Sequence, residues 1–124
     1  SRIQMKVIRV MTRIFLEPEL LRKTISFYEN LFGEKCEVRF RYDEYKLELA
    51  GIGSVLLISG PDEILEKFKN TSLTILVDSL NEFRDHLTAE GAEVIDEIKS
   101  VPTGSNMRIR HPEGTVVEYV EFKT

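Results

Sequence analysis

One ordered set of apolar runs and breakers occurs twice in this chain of 124 residues, and that duplication restricts its folding more than any other feature. The β-branched stretch from Val7 to Leu16 reads as a strand, and Pro18 ends it because proline lacks an amide donor and fixes its own φ. Leu20, Leu21, Thr24, Ile25, Phe27, Tyr28, Leu31 and Phe32 then recur at helical spacing, with Gly33 as the stop. Three short strands follow, at Cys36–Tyr42, Tyr45–Leu49 and Val55–Ile58, with a turn at Gly51–Gly53. An amphipathic helix over Asp62–Lys69 forms the joint.

The order then restarts with a strand at Leu73–Val77. A helix over Ser79–Glu90 carries Leu80, Phe83 and Leu87 on one stripe, with Ser79 as cap and Gly91 as stop. Strands at Val94–Ile98, Met107–Arg110 and Val116–Phe122 complete it, with turns at Pro102–Gly104 and Pro112–Gly114. Gly33 and Gly91 stand 58 residues apart. Each β-α-β-β-β unit has too few apolar contacts to stand alone, so the expected fold is α+β, built from two paired modules over about 5–60 and 70–124. A ferredoxin-like sandwich with extra strands is the competing arrangement, and the doubled order disfavours it. Ser1–Gln4 precede Met5 and are read as a remnant foreign to a single domain spanning 5–124.

Composition narrows the chemistry. With one cysteine, Cys36, the chain can form no internal disulfide and no multi-cysteine zinc cluster, which fits a reducing, cytoplasmic setting. No apolar run reaches the ~20 residues of a membrane span. A net charge of −4 speaks against a nucleic-acid partner, which calls for a basic face. Residues 1–60 hold ten Lys/Arg against eight Asp/Glu and residues 61–124 seven against thirteen, so the two modules differ in sign. Only two histidines, His86 and His111, are present.

The motifs in this order resemble those of the vicinal oxygen chelate superfamily, which includes glyoxalase I, extradiol dioxygenases and bleomycin-resistance proteins. Lys23-Thr24-Ile25-Ser26-Phe27-Tyr28-Glu29-Asn30-Leu31-Phe32-Gly33 is similar to the first helix, S-x-x-F-Y-x-x-x-L-G. Arg110-His111-Pro112-Glu113-Gly114-Thr115-Val116-Val117-Glu118 resembles the final turn and strand, R-D-P-D-G-N-x-x-E. Val77-Asp78-Ser79-Leu80 is similar to the V-D-D-L that opens the second helix, and Ala89 to Val94 to its A-x-G-x-x-V exit. The match runs from about Met11 to the C-terminus. It implies two βαβββ modules whose curved mixed sheets enclose a cup, with the helices on the outer face, and it implies a homodimer; exposed strand edges favour such pairing too.

In metal-dependent relatives, four strand side chains inside the cup, usually His, Gln or Glu, hold one divalent ion. Carried onto this sequence by motif, those positions fall on Arg13, Leu57, Ser72 and Glu118. Guanidinium does not ligate cations and leucine has no donor atom, so the resemblance implies the scaffold without its metal, and no cofactor is expected. Arg13 and Glu118 admit two readings, a cation and carboxylate that hold a ligand or an ion pair that closes the old site. Arg39 and Arg41 share a strand face, as do Arg108 and Arg110; each pair forms either a cationic wall or a solvated sheet face balanced by glutamates such as Glu48. Phe15, Phe40, Tyr42 and Tyr45 line an apolar pocket shaped by Met107 or else pack as core. His86 and His111 read as surface and turn residues, and Cys36 as a small strand residue.

The expected function is metal-free binding of a small organic ligand, anionic in one version. The alternatives are a glyoxalase-, lyase- or isomerase-like enzyme with Glu118 as general base and Arg13 as electrophile, and a non-catalytic structural domain.

Overall fold

A computed structural model describes residues 5–123; the residues read as a remnant, Ser1–Gln4, lie outside the described ones. The chain forms two compact units. One is Met11–Asn70, and the other runs from Thr71 and includes the chain start through Val10. The first strand, β1 (Val7–Leu16), therefore begins in the second unit and continues in the first.

The first unit contains β1 from Met11, helix α1 (Leu21–Phe32), strands β2 (Val38–Tyr42), β3 (Leu47–Ile52) and β4 (Val55–Ser59), and a short helix α2 (Asp62–Leu65). Its strand order is β2-β3-β4-β1. The hairpin pairs β2–β3 and β3–β4 are antiparallel, whereas β1 runs parallel to β4. A parallel pair needs a long crossover, and α1 with the β2–β3 hairpin supplies it. Leu21 and Ile25 of α1 seat on Ala50, Ile52, Val55 and Leu57. Gly33 takes φ 68°, the left-handed stop that the sequence predicts.

The second unit repeats the plan with β5 (Leu73–Val77), α3 (Leu80–Ala89), β6 (Glu93–Val101), β7 (Gly104–Arg110) and β8 (Val116–Phe122), ordered β5-β8-β7-β6. β5 runs parallel to β8, and the other two pairs are antiparallel. Leu80 and Phe83 pack on Val77, Met107, Ile109, Val117 and Tyr119. Two side chains satisfy the first amides of α3: Ser79 Oγ accepts from Glu82 N at 3.3 Å and Glu121 Oε1 from Leu80 N at 2.8 Å. Lys6 and Asp78 clamp the chain start to the end of β5, with Lys6 N donating to Asp78 Oδ1 and Asp78 N to the Lys6 carbonyl.

The doubled order forms as expected, not a single ferredoxin-like set. The differences lie at element ends. β3 runs through Gly51 to Ile52, so the turn is confined to Gly53 and Ser54; the linker helix stops at Leu65, short of Lys69; and β6 extends to Val101. Among the described residues no helix is long and apolar enough to cross a membrane.

Gly104 is the most constrained backbone position. Its φ is 155°, and an added Cβ would lie 2.1 Å from the Glu121 carbonyl oxygen. At Gly114, φ is 104° but no atom lies within 4 Å of the added carbon. Chemical denaturation should therefore show Gly114→Ala costing about 1–2 kcal/mol, the ordinary left-handed penalty. Gly104→Ala should cost clearly more, because β7 and β8 must separate.

Candidate functional site

Alternation along the strands divides the candidate residues between two faces of each sheet, since directly paired residues project to the same side. In the first unit, Leu57 pairs with Ile14 and Ala50, and Ala50 with Arg39. This is the face that bears α1, and Leu57 is wholly buried in that core. Leu57 therefore does not share a face with Arg13; Leu56 stands directly across from Arg13. The cause is the run Val55-Leu56-Leu57-Ile58, apolar at every position, which gives no alternation from which to read the phase.

Arg39 and Arg41 lie on the α1 side as well. Both Nε and Nη2 of Arg39 donate to Glu48 Oε2, at 3.1 and 2.9 Å, while Arg41 Nε donates to Asp43 Oδ1 at 3.2 Å. Both arginines are exposed.

Arg13, Phe15, Phe40 and Tyr42 share the opposite face, with Leu56, Ile58, Leu49 and Leu47 as cross-strand partners. The chain's own linker covers much of this surface. Leu65 is buried there among Met11, Leu47, Leu56 and Ile58, and Ile64 and Phe68 pack beside it. Arg13 Nη1 donates to the Phe68 carbonyl at 3.4 Å, and the Tyr45 ring stacks edge-on between Tyr42 and Phe68. Phe15, Tyr42 and Phe68 thus pack against the buried cluster of Leu47, Leu56, Ile58 and Leu65, the core alternative for Phe15 and Tyr42.

In the second unit, Met107 is fully buried in the core under α3. Its neighbours along β7, Asn106 and Arg108, point the other way, as does Glu118 between Val117 and Tyr119. On that face Glu118 pairs with Thr74 on one side and Arg108 on the other. Glu118 Oε1 accepts from Thr74 Oγ1 at 3.1 Å and Oε2 from Asn106 Nδ2 at 3.2 Å. Arg108 Nε donates to Asp96 Oδ2 at 2.5 Å and Nη1 to Thr71 Oγ1 at 3.2 Å. Ser72 lies just before β5, exposed, with its amide donating to the Val116 carbonyl.

The sheet thus gathers a partly buried carboxylate, an amide, a guanidinium and two buried hydroxyls. Thr71, Thr74, Asp96 and Asn106 were not singled out from sequence. The alternation of Asn106, Arg108 and Arg110 was visible, but their alignment with Glu118 depends on the pairing of β7 with β8.

The remaining singled-out groups have structural partners. Burial and the Glu29 carboxylate push the Cys36 thiol up, away from the reactive thiolate. Burial likewise pushes the Tyr119 phenol up to about 12, and its hydroxyl lies 2.6 Å from His111 Nε2.

Several solved structures share this arrangement. A protein of Methanosarcina mazei described as uncharacterized is similar over 95% of this chain and 94% of its own, at 38% identity and TM-score 0.81. Methylmalonyl-CoA epimerase from Mycobacterium tuberculosis matches over 95% of this chain and 90% of its own, at 18% identity and TM-score 0.68. A variant of 4-hydroxymandelate synthase from Streptomyces coelicolor covers 97% of this chain and is itself matched over 49%, at 18% identity and TM-score 0.61. The chain shares the fold of these proteins. At such identities the likeness to the epimerase and the synthase establishes the fold alone. No protein-family model matches the chain, and no curated protein matches it by sequence.

The metal of the family that the sequence resembles does not fit the residues present. Of the four mapped positions, Arg13 carries a guanidinium, which does not ligate cations, and Leu57 is buried in the α1 core, leaving one hydroxyl and one carboxylate. Among the described residues no group of three or more His, Cys, Asp or Glu could hold an ion. His86 sits on α3 and His111 just beyond β7.

The Tyr119 phenol defines a pH test. Its folded-state value of about 12 lies above the ordinary 10.0, so its contribution to stability is complete below pH 10 and is lost as pH rises towards 12. Denaturant titrations across that window should show wild-type stability falling and Tyr119→Phe falling less.

Proposed function

We propose that this protein binds a small polar organic molecule without a metal ion, on the face of the second-module sheet that carries Glu118 and Arg108. The observation that carries the reading is the juxtaposition of those two side chains, directly paired across β7 and β8. Thr74 and Asn106 hold the carboxylate by one oxygen each, and Asp96 and Thr71 hold the guanidinium. Groups braced in this way lose little freedom when a ligand arrives. Arg108 would meet a carboxylate or carbonyl oxygen, and Glu118 would accept a hydrogen bond from a neighbouring hydroxyl or amine. The matching ligand class is a hydroxy or amino acid, or a related carbonyl compound.

The first-module arginines are poorer candidates. Arg39 and Arg41 face solvent in ion pairs, and Arg13 donates to the linker backbone. A cytoplasmic location accords with the single cysteine.

Calorimetry against a panel of small hydroxy and amino acids tests the reading, with metal content measured on the same preparation. A ligand should bind metal-free protein. Glu118→Gln and Arg108→Gln should each weaken it by about tenfold or more, the effect of one charged hydrogen bond. Arg39→Gln should leave it unchanged. A bound ligand indifferent to both Glu118 and Arg108, or one that binds only with stoichiometric Zn²⁺, Ni²⁺ or Fe²⁺, would overturn the proposal. Solvent-proton exchange into the bound ligand, abolished by Glu118→Gln, would move the reading from binding to catalysis.

A further inference from the structure

Strand β6 departs from strict alternation twice, once on each side of Asp96. From the Val94–Ile109 pair to the Asp96–Arg108 pair, β6 advances two residues and β7 one; from there to the Lys99–Asn106 pair, β6 advances three and β7 two. Each extra residue reverses the phase of the strand. Val94 packs on the α3 core, so unbroken alternation would return Asp96 to that side. The first bulge turns Asp96 to the face of Arg108. The second restores the phase, so Ile98 packs on the α3 core and Lys99 stands on the Arg108 face.

The carboxylate aimed in this way takes one prong of a fork. Asp96 Oδ2 accepts from Arg108 Nε at 2.5 Å and Thr71 Oγ1 from Nη1 at 3.2 Å, while Nη2 meets no acceptor among the described residues. Nε and Nη2 point to the same side of a guanidinium and together suit one carboxylate. We infer that Asp96 is a tethered stand-in for a carboxylate on the ligand, which displaces it from the Nε–Nη2 fork of Arg108. The inference rests on the reading of this face as the binding site, and it narrows the ligand class to carboxylic acids.

The row Asp96–Arg108–Glu118 holds two carboxylates to one guanidinium, so an arriving anion is opposed until one of them withdraws. Glu118 stays, because it lies on an inner strand and Thr74 and Asn106 hold both its oxygens. Asp96 is free to leave: β6 ends the strand order, and the Asp96 side chain is 41% exposed. Lys99 follows it along β6 on the same face, exposed and without a partner among the described residues, and receives the departing carboxylate. Thr71 keeps its bond to Nη1, so the guanidinium holds its orientation through the exchange.

Sodium lactate, whose carboxylate and hydroxyl match Arg108 and Glu118, is the probe, titrated by NMR. Asp96→Asn should bind it about fivefold more tightly than wild type, the worth of a part-exposed ion pair no longer in competition. Lactamide, which lacks the carboxylate, should show no such gain. Glu97→Gln removes the same charge from the other side of β6, where Glu97 pairs with Arg84, and should alter lactate binding less than about twofold. Lys99→Gln should weaken lactate binding in the wild-type background and leave it unchanged in the Asp96→Asn background. Equal or weaker binding by Asp96→Asn would make Asp96 a fixed brace and overturn the inference, while the reading of the site stands so long as lactate still needs Arg108. A gain matched by Glu97→Gln or shared by lactamide would overturn it as well, as would a Lys99→Gln loss that is equal in both backgrounds. If neither wild type nor Asp96→Asn takes up lactate, the inference falls, whereas the reading falls only when binding across the whole acid panel is indifferent to Glu118 and Arg108.

Discussion

The burial of one helix stripe against one face of each four-stranded sheet is the constraint on which the rest of the molecule depends. Ile52 and Leu57 in the first unit, and Met107, Ile109 and Val117 in the second, are sealed completely from water. Each such side chain contributes about 1.5–3 kcal/mol relative to exposure, enough to fix the phase of the strand that carries it. Strands alternate strictly, so committing Val117 and Tyr119 to α3 commits Glu118 to the other face, and committing Met107 and Ile109 does the same for Arg108. The apolar seam thereby aims the polar groups.

What stands on that second face is a network whose members brace one another. A carboxylate taken partly out of water costs free energy unless donors meet it, and Thr74 and Asn106 supply them. Arg108 is matched by Asp96 and Thr71. In the first unit the corresponding face meets a different fate, because Leu65, Ile64 and Phe68 of the linker fill it. The two repeats share a backbone plan and have diverged in what covers their sheets. The second-unit face carries a donor set suited to hydrogen bonding and ill-suited to chelation.

Much of the fold was legible in local pattern. Gly33 and Gly91 mark helix ends because each takes a positive φ that other residues resist. The stripes of α1 and α3 follow from spacing alone. The candidate site was legible only in part. Glu118 stands out through its motif, but its donors do not, because Thr74 is 44 residues away and Asn106 12 residues away in sequence. Met107 looked like a flexible pocket residue, and only the pairing of β7 with β8 shows that it faces α3. Phe15 and Tyr42 could line a pocket or pack as core, and nothing local reveals that Phe68 and Leu65 join them in one cluster.

By itself the sequence determined the duplicated order of elements and the helix stripes and stops, since each depends on residue identity or near-neighbour spacing. The tertiary structure alone decided the phase of the Val55–Ile58 strand, the partners of Glu118 and Arg108, and the covering of Arg13. The physical reason is the two-residue period of a strand. A uniformly apolar run satisfies either face equally well, so the choice passes to the helix that packs on it and to the register of strands distant in sequence.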